Sequence, residues 1–211
     1  ADAVPLDVLC PRAEQYQWVL EIRRGDTAPA ATDIAVILQE RTGLGPLGAL
    51  GAVASVDYHD RYIARSAVAV WMLGRLLGLF RYADGARGAV HCLEAGDTVG
   101  SLDGSVERIL RARTPPSNLD RTTAKKFEKW CVQRCAEQNL LLEFKHRAPG
   151  NMGHQRKLEI KFKPGGKASR LVVLFDHGLD WIRPIDGRDT RPWPEQTMKA
   201  EASHVVITID P

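Results

Sequence analysis

"GHQRKLEIKFKPGGKASRLVVLF", residues 153–175, decides how the chain is read. Its opening residues alternate as a half-buried β-strand does. "KPGGKASR" then supplies turn residues, and "LVVLF" is an apolar strand that runs into the polar loop "DHGLDWI". His154 and Arg156 stand two apart at the start of the first strand. In a strand, residues i and i+2 point to one face, roughly 7 Å apart. An imidazole and a guanidinium presented side by side could grip a phosphate. They could equally be two solvated residues on an exposed edge.

The rest of the chain supports an α/β reading. With 211 residues, 44% of them hydrophobic, it can bury one full core, so a single domain over 1–211 is expected. Residues 1–50 would be an N-terminal extension or first βα unit. The 26% of charged residues argues against wholesale disorder, and a net charge of +3 is too small to imply nucleic-acid binding by itself. No charged leader followed by an apolar stretch is visible, and the apolar stretch at 63–80 contains Arg65 and Arg75, which suits a buried helix better than a membrane span. Cys10, Cys92, Cys131 and Cys135 do not look like a disulfide framework. Cys131 and Cys135, one helical turn apart, lack further ligands nearby and read as small buried residues. A cytoplasmic protein is expected.

Upstream, "QYQWVLEIRR" could be a strand or a short helix. "TDIAVILQERTG" (32–43) predicts a helix with Thr32 or Asp33 as N-cap, and "GLGPLGALG" a loop. "AVASVDYHDRYI" begins as a buried parallel strand and ends in polar residues. The 63–80 helix follows, then "RYADGARG" as a connection, "AVHCLEA" as a second strand, and a second helix starting around Ser101 to Gly104. That strand–helix–strand–helix order is the pattern of a mainly parallel sheet. "TPPSNLDRTTAKKFEKWCVQRCAEQN" (114–139) predicts a proline-marked loop and then an amphipathic helix with Phe127, Trp130, Cys131 and Cys135 on one face. "LLLEFKHR" and "HVVITID" are further strands, and Trp193 in "RPWPE" suits a protein–protein contact.

Three polar clusters stand at strand ends: Asp57, His59, Asp60, Arg61 and Tyr62; His154 and Arg156; and Asp176, His177 and Asp180. Ligands gather at strand ends in parallel α/β sheets, so these groups together would make an anion-recognising or hydrolytic site. Structural readings stand beside this one. Asp60 could cap the following helix with Tyr62 packed under it, and Asp176 and Asp180 could be turn and salt-bridge residues.

The order of the clusters resembles the phospholipase D superfamily, whose signature runs His-x-Lys, a strand, an acidic residue and a Gly-Ser-x-Asn type turn. The chain is more similar still to the phospholipase D-like domain at the C-terminus of microtubule-interacting-and-trafficking (MIT) proteins. "DRYI" at 60–63, "LLEF" at 141–144, "HQR" at 154–156 and "GLD" at 178–180 carry that likeness, over about 50–209. It implies an α/β phospholipase D-like fold, with a central mixed, mainly parallel sheet and helices on both faces. In active relatives the His is the nucleophile, the Lys holds phosphate, two half-sites make one active centre, and no metal takes part. His154 would then be the candidate nucleophile, and Arg156 and Arg61 would bind phosphate. Asp180 would be a partner or turn residue, with Asp60, Tyr62, Asp176 and His177 in support. Arg156 stands where the Lys would be, and Leu179 and Asp180 where small and amide residues would help bind phosphate. Arg and Lys are not equivalent at such a site.

The expectation is therefore a degenerate binding and assembly module that keeps an anion pocket, without metal or cofactor. Its partner would be another protein subunit or a second copy, in a multi-protein bacterial system such as phage defence. The alternative is a metal-independent phosphodiesterase or nuclease, a two-half-site dimer using His154, with nucleic acid as substrate. A third reading, peripheral membrane binding, is disfavoured because no basic amphipathic helix carries exposed aromatics.

Overall fold

The computed structural model describes residues 16–23, 47–96, 105–110, 118–179 and 202–210. The expected 32–43 helix and its cap, the start of a helix at Ser101 to Gly104, Cys10, Asp180 and the "RPWPE" segment lie outside the described residues.

Seven strands form one sheet: β1 (Tyr16–Arg23), β2 (Ala52–His59), β3 (Arg81–Cys92), β4 (Leu140–His146), β5 (Arg156–Phe162), β6 (Arg170–Phe175) and β7 (Ala202–Asp210). Their order is β1-β7-β6-β5-β2-β3-β4. Among the described residues three α-helices accompany them: α1 (Ala67–Leu77), α2 (Val106–Leu110) and α3 (Arg121–Ala136). The mixed α/β class stands as expected. The sheet is not mainly parallel, however. Only β2–β3 and β3–β4 run parallel, and the remaining four pairings are antiparallel. The cause is local: the Gly-containing turn at 163–169 folds β6 straight back on β5, whereas α1 and α3 supply the crossovers that a parallel neighbour needs. The strand reading of "QYQWVLEIRR" holds, and β1 lies against β7.

Alternation along β2 sorts its side chains by face. Val53, Val56 and Tyr58 are buried, while Asp57 and His59 on the other face are half-buried. The spacing between Val53 and Val56 breaks the period of two because the register with both β3 and β5 shifts between Val53 and Ser55. "RYADGARG", expected as a connection, is the first part of β3. Gly85, at φ 73°, takes the left-handed conformation inside that strand, and the pairing to β2 resumes at Arg87.

Helix α1 is the buried helix expected from the apolar stretch. Ala67, Val68, Val70, Met72, Leu73, Leu76 and Leu77 are all at or below 2% exposure, and Ser66 Oγ caps it by accepting from Ala69 N at 3.2 Å. Helix α3 is capped by Asp120, which accepts from Thr122 N at 2.9 Å and Thr123 N at 3.0 Å. It buries Phe127, Cys131 and Cys135 and leaves Lys125, Lys126, Lys129 and Arg134 in solvent. The three helices touch one another and form one layer. The helices expected on the second face are not among the described residues. Among the described residues, no helix is long and apolar enough to cross a membrane.

Candidate functional site: arginines at the end of the central strand

The site begins where β2 stops. Asp60 N donates to the His91 carbonyl at 3.1 Å, and the Asp60 carboxylate, 2% exposed, then organises the turn. It accepts Tyr62 N on Oδ1 at 3.0 Å and the Tyr58 hydroxyl on Oδ2 at 3.3 Å. Asp60 therefore holds its own turn, while Ser66 caps the helix. Tyr62 is not packed under that helix: it is 38% exposed. A short 3-10 turn, Ile63–Arg65, brings Arg65 round to the same place.

From the other side of the sheet's centre comes β5, antiparallel to β2 with His59 opposite Lys157. One step further, that register sets Asp60 across from Arg156, whose Nε lies 3.7 Å from Asp60 Oδ1. Arg156 Nη1 donates to the Asp176 carbonyl at 2.7 Å. His154 precedes the strand, in an exposed turn, so it does not share a strand face with Arg156 as the sequence suggested. It joins the site by another route: Arg61 Nη1 lies 3.1 Å from His154 Nε2. A guanidinium can only donate, so that nitrogen accepts and its lone pair is engaged.

Arg156 thus lies beside the buried Asp60 carboxylate, while Arg61, Arg65 and His154 gather about Tyr62 in the turn that this carboxylate holds. The guanidiniums of Arg61 and Arg65 lie 5.6 and 5.4 Å from the Tyr62 ring centroid. The Nε atoms of Arg61, Arg65 and Arg156 are all buried and make no hydrogen bond among the described residues. Those Nε atoms are closed off from solvent, so contact with an anion would have to come from the terminal Nη donors of the same guanidiniums.

Asp176 sits beside this cluster as a closing residue between β6 and β7. Its Oδ2 accepts from His204 N at 2.8 Å, and Oδ1 lies 2.9 Å from His177 Nδ1. Sequence reasoning missed Arg65, hidden in an apolar stretch, although its place just after "DRYI" was a usable signal. It also missed His91 and Arg147, which no local pattern connects to β2.

Those two residues complete a second group on the opposite sheet face. His59 and His91, paired across β2 and β3, stack with centroids 4.3 Å apart. His91 Nε2 lies 3.4 Å from Asp57 Oδ1, and Arg147 Nη2 lies 3.2 Å from His91 Nδ1. Burial, then the neighbouring His91, hold His59 below its ordinary pKa and so neutral. Asp57, His59 and His91 are the described residues that could hold a metal, their ligand atoms lying within 4.8 Å of one another. Arg147, however, can only donate to Nδ1, which puts the proton of a neutral His91 on Nε2, facing Asp57. That ring would have to give up this proton to become a ligand.

A third set, Cys92, His146 and Glu128, lies in nucleophile–base–acid order. Cys92 Sγ is 3.8 Å from His146 Nδ1, and His146 Nε2 is 3.3 Å from Glu128 Oε2. Cys92 is 0% exposed, and burial pushes its thiol up to about 12. It is a packed thiol, not a nucleophile.

Fold and site together define an α/β domain with a mixed sheet, one of whose inner strands, β2, ends in an arginine-rich turn. The chain belongs to the family described as DEAD/DEAH box helicase YjiV, C-terminal domain, whose model matches residues 34–186. No curated protein matches it in sequence. Among solved structures it is similar to polyphosphate kinase from Porphyromonas gingivalis, at 9% identity and a TM-score of 0.36, over 92% of this chain and 23% of that one.

Proposed function

We propose that this domain is a non-catalytic phosphate grip that serves a DEAD/DEAH-box helicase, holding the backbone of the nucleic acid on which such a motor acts. It would be a degenerate phospholipase D-like module working in the cytoplasm, in a multi-protein bacterial assembly with the helicase motor as protein partner. One observation carries the reading: the guanidiniums of Arg61 and Arg65 lie over the Tyr62 ring and Arg156 lies beside Asp60, so the turn after β2 and the start of β5 supply three cations at one end of the sheet. Arginine suits this task because its planar fork matches phosphate oxygens and its charge does not titrate. The family's printed name suggests the kind of ligand, since a helicase acts on nucleic acid, whose backbone presents a row of phosphates.

Catalysis is disfavoured by the same geometry. Attack on phosphorus needs a free imidazole lone pair, and Arg61 engages the one on His154 Nε2. Arg156, at the position where the phospholipase D resemblance would have a phosphate-holding Lys, gives one of its donors to the Asp176 carbonyl.

Labelled DNA and RNA, mixed with the protein in EDTA, test this directly. Binding without cleavage is expected, and Arg156→Ala or Arg61→Ala should each flatten the slope of log affinity against log salt by about one. Cleavage that disappears in His154→Ala would overturn the reading in favour of a metal-independent phosphodiesterase.

A further inference from the structure

Resting on the phosphate-grip reading, we infer that the ligand is single-stranded nucleic acid, with one base stacked flat on Tyr62 while the neighbouring arginines hold its phosphate. Of the described large apolar side chains in solvent, Val19, Leu79 and Leu141 stand apart from the site, whereas Tyr62 stands within the cation cluster. A lone aromatic ring ringed by cations is a poor protein-docking patch and a good nucleotide platform.

The ring is also held ready. Tyr62 N donates to Asp60 Oδ1 at 3.0 Å, and the Tyr62 carbonyl accepts Arg65 N at 2.9 Å, so its backbone is pinned on both sides at the end of a buried strand. Its present neighbours do not stack flat on it. The guanidiniums sit 5.4 and 5.6 Å from its centroid, near the outer limit of about 6 Å for a cation–π contact. The His154 ring is 6.4 Å away and tilted by 49°. A planar heterocycle stacked at van der Waals distance would lie closer to the ring than either guanidinium, and the two arginines over it would swing out to the nucleotide's own phosphate. A duplex hides its base faces inside the stack, so only an unpaired strand offers one.

The test uses the whole chain and three probes of equal length in a fluorescence anisotropy titration: oligothymidylate, the same backbone made of abasic sites, and a duplex. Oligothymidylate should bind about 5- to 150-fold more tightly than the abasic strand, the range expected of one stacked base. Tyr62→Ala should bring oligothymidylate down to the affinity of the abasic strand measured on the same variant, while Tyr62→Phe should retain the difference between the two strands. Should Tyr62→Ala weaken abasic and thymidylate strands equally, or should the two bind alike to the unsubstituted protein, the stacking inference fails and the phosphate grip survives. If none of the three probes binds, the grip itself is wrong and the inference falls with it.

Discussion

Asp60 should be the most sensitive single position at the site, and its loss should be felt as stability. Its carboxylate is 2% exposed and accepts two hydrogen bonds, from Tyr62 N at 3.0 Å and from the Tyr58 hydroxyl at 3.3 Å. Hydrogen bonds to a charged acceptor contribute roughly 1.5–3 kcal/mol each, and the longer one belongs at the low end. The contact to Arg156 Nε at 3.7 Å adds less than about 1 kcal/mol, because the Arg156 side chain is 23% exposed and partly screened. Asp60→Ala should therefore cost roughly 3–4 kcal/mol. Asp60→Asn keeps one acceptor oxygen and should cost about half as much. With a urea m-value of roughly 2 kcal/mol/M for a domain of this size, Asp60→Ala lowers the unfolding midpoint by about 1.5–2 M at unchanged m. A double-mutant cycle with Tyr58→Phe should return a coupling of about 1 kcal/mol. A midpoint change below roughly 0.3 M, with m constant, would refute the claim that Asp60 organises the turn.

Three further outcomes follow from other parts of the molecule. Because folding lowers the pKa of His59 below 6.5, first through burial and then through His91, the unfolded chain takes up the proton at a higher pH than the folded one. Stability should fall as pH drops below about 6.5, towards the lowered folded value, and His59→Phe should flatten that slope in urea titrations. An unchanged slope would count against the buried stack. The described cysteines should resist iodoacetamide at pH 8 in the folded state, Cys92 with its thiol near 12 and Cys131 raised by its Cys135 neighbour and by burial, and should react only in denaturant, as peptide mass spectrometry would show. Gly166→Ala would place a methyl 2.7 Å from the Leu50 carbonyl oxygen and 3.0 Å from Gly51 Cα, both backbone atoms. It should cost roughly 1–3 kcal/mol, or about 3–10 °C in Tm by calorimetry, and an unshifted melt would mean that the turn is not so tightly docked.

Several elements were legible because local chemistry and tertiary structure agree on them. The alternation of β2, the Pro-Gly-Gly turn between β5 and β6, and the apolar stripe of α3 each specify their own conformation. The first part of β3 was not legible, since "ADG" is turn chemistry that pairing with β2 overrides. Strand direction was misjudged where strand–helix alternation suggested a parallel neighbour for β2 on both sides; β5 in fact lies antiparallel to it. At the site, Asp60, Arg61, Tyr62, His154 and Arg156 were readable as polar residues at strand ends. Their partnerships were not: His154 reaches the site through Arg61 across 93 positions, and Arg65 arrives only because a 3-10 turn follows β2.

That separation bears on how the protein comes into being. Arg61 and Arg65 are synthesised early, but His154 and Arg156 cannot join them until β3, α3 and β4 have been made and β5 has paired with β2. Contacts of such long range form late, after the loop-closure entropy has been met. A chain stalled on the ribosome before β5 would carry Arg61 and Arg65 without His154 and Arg156. If the proposed phosphate grip holds, ligand affinity would report on completion of the sheet, and a bound phosphate would in turn favour the finished molecule over every truncated or partly paired form.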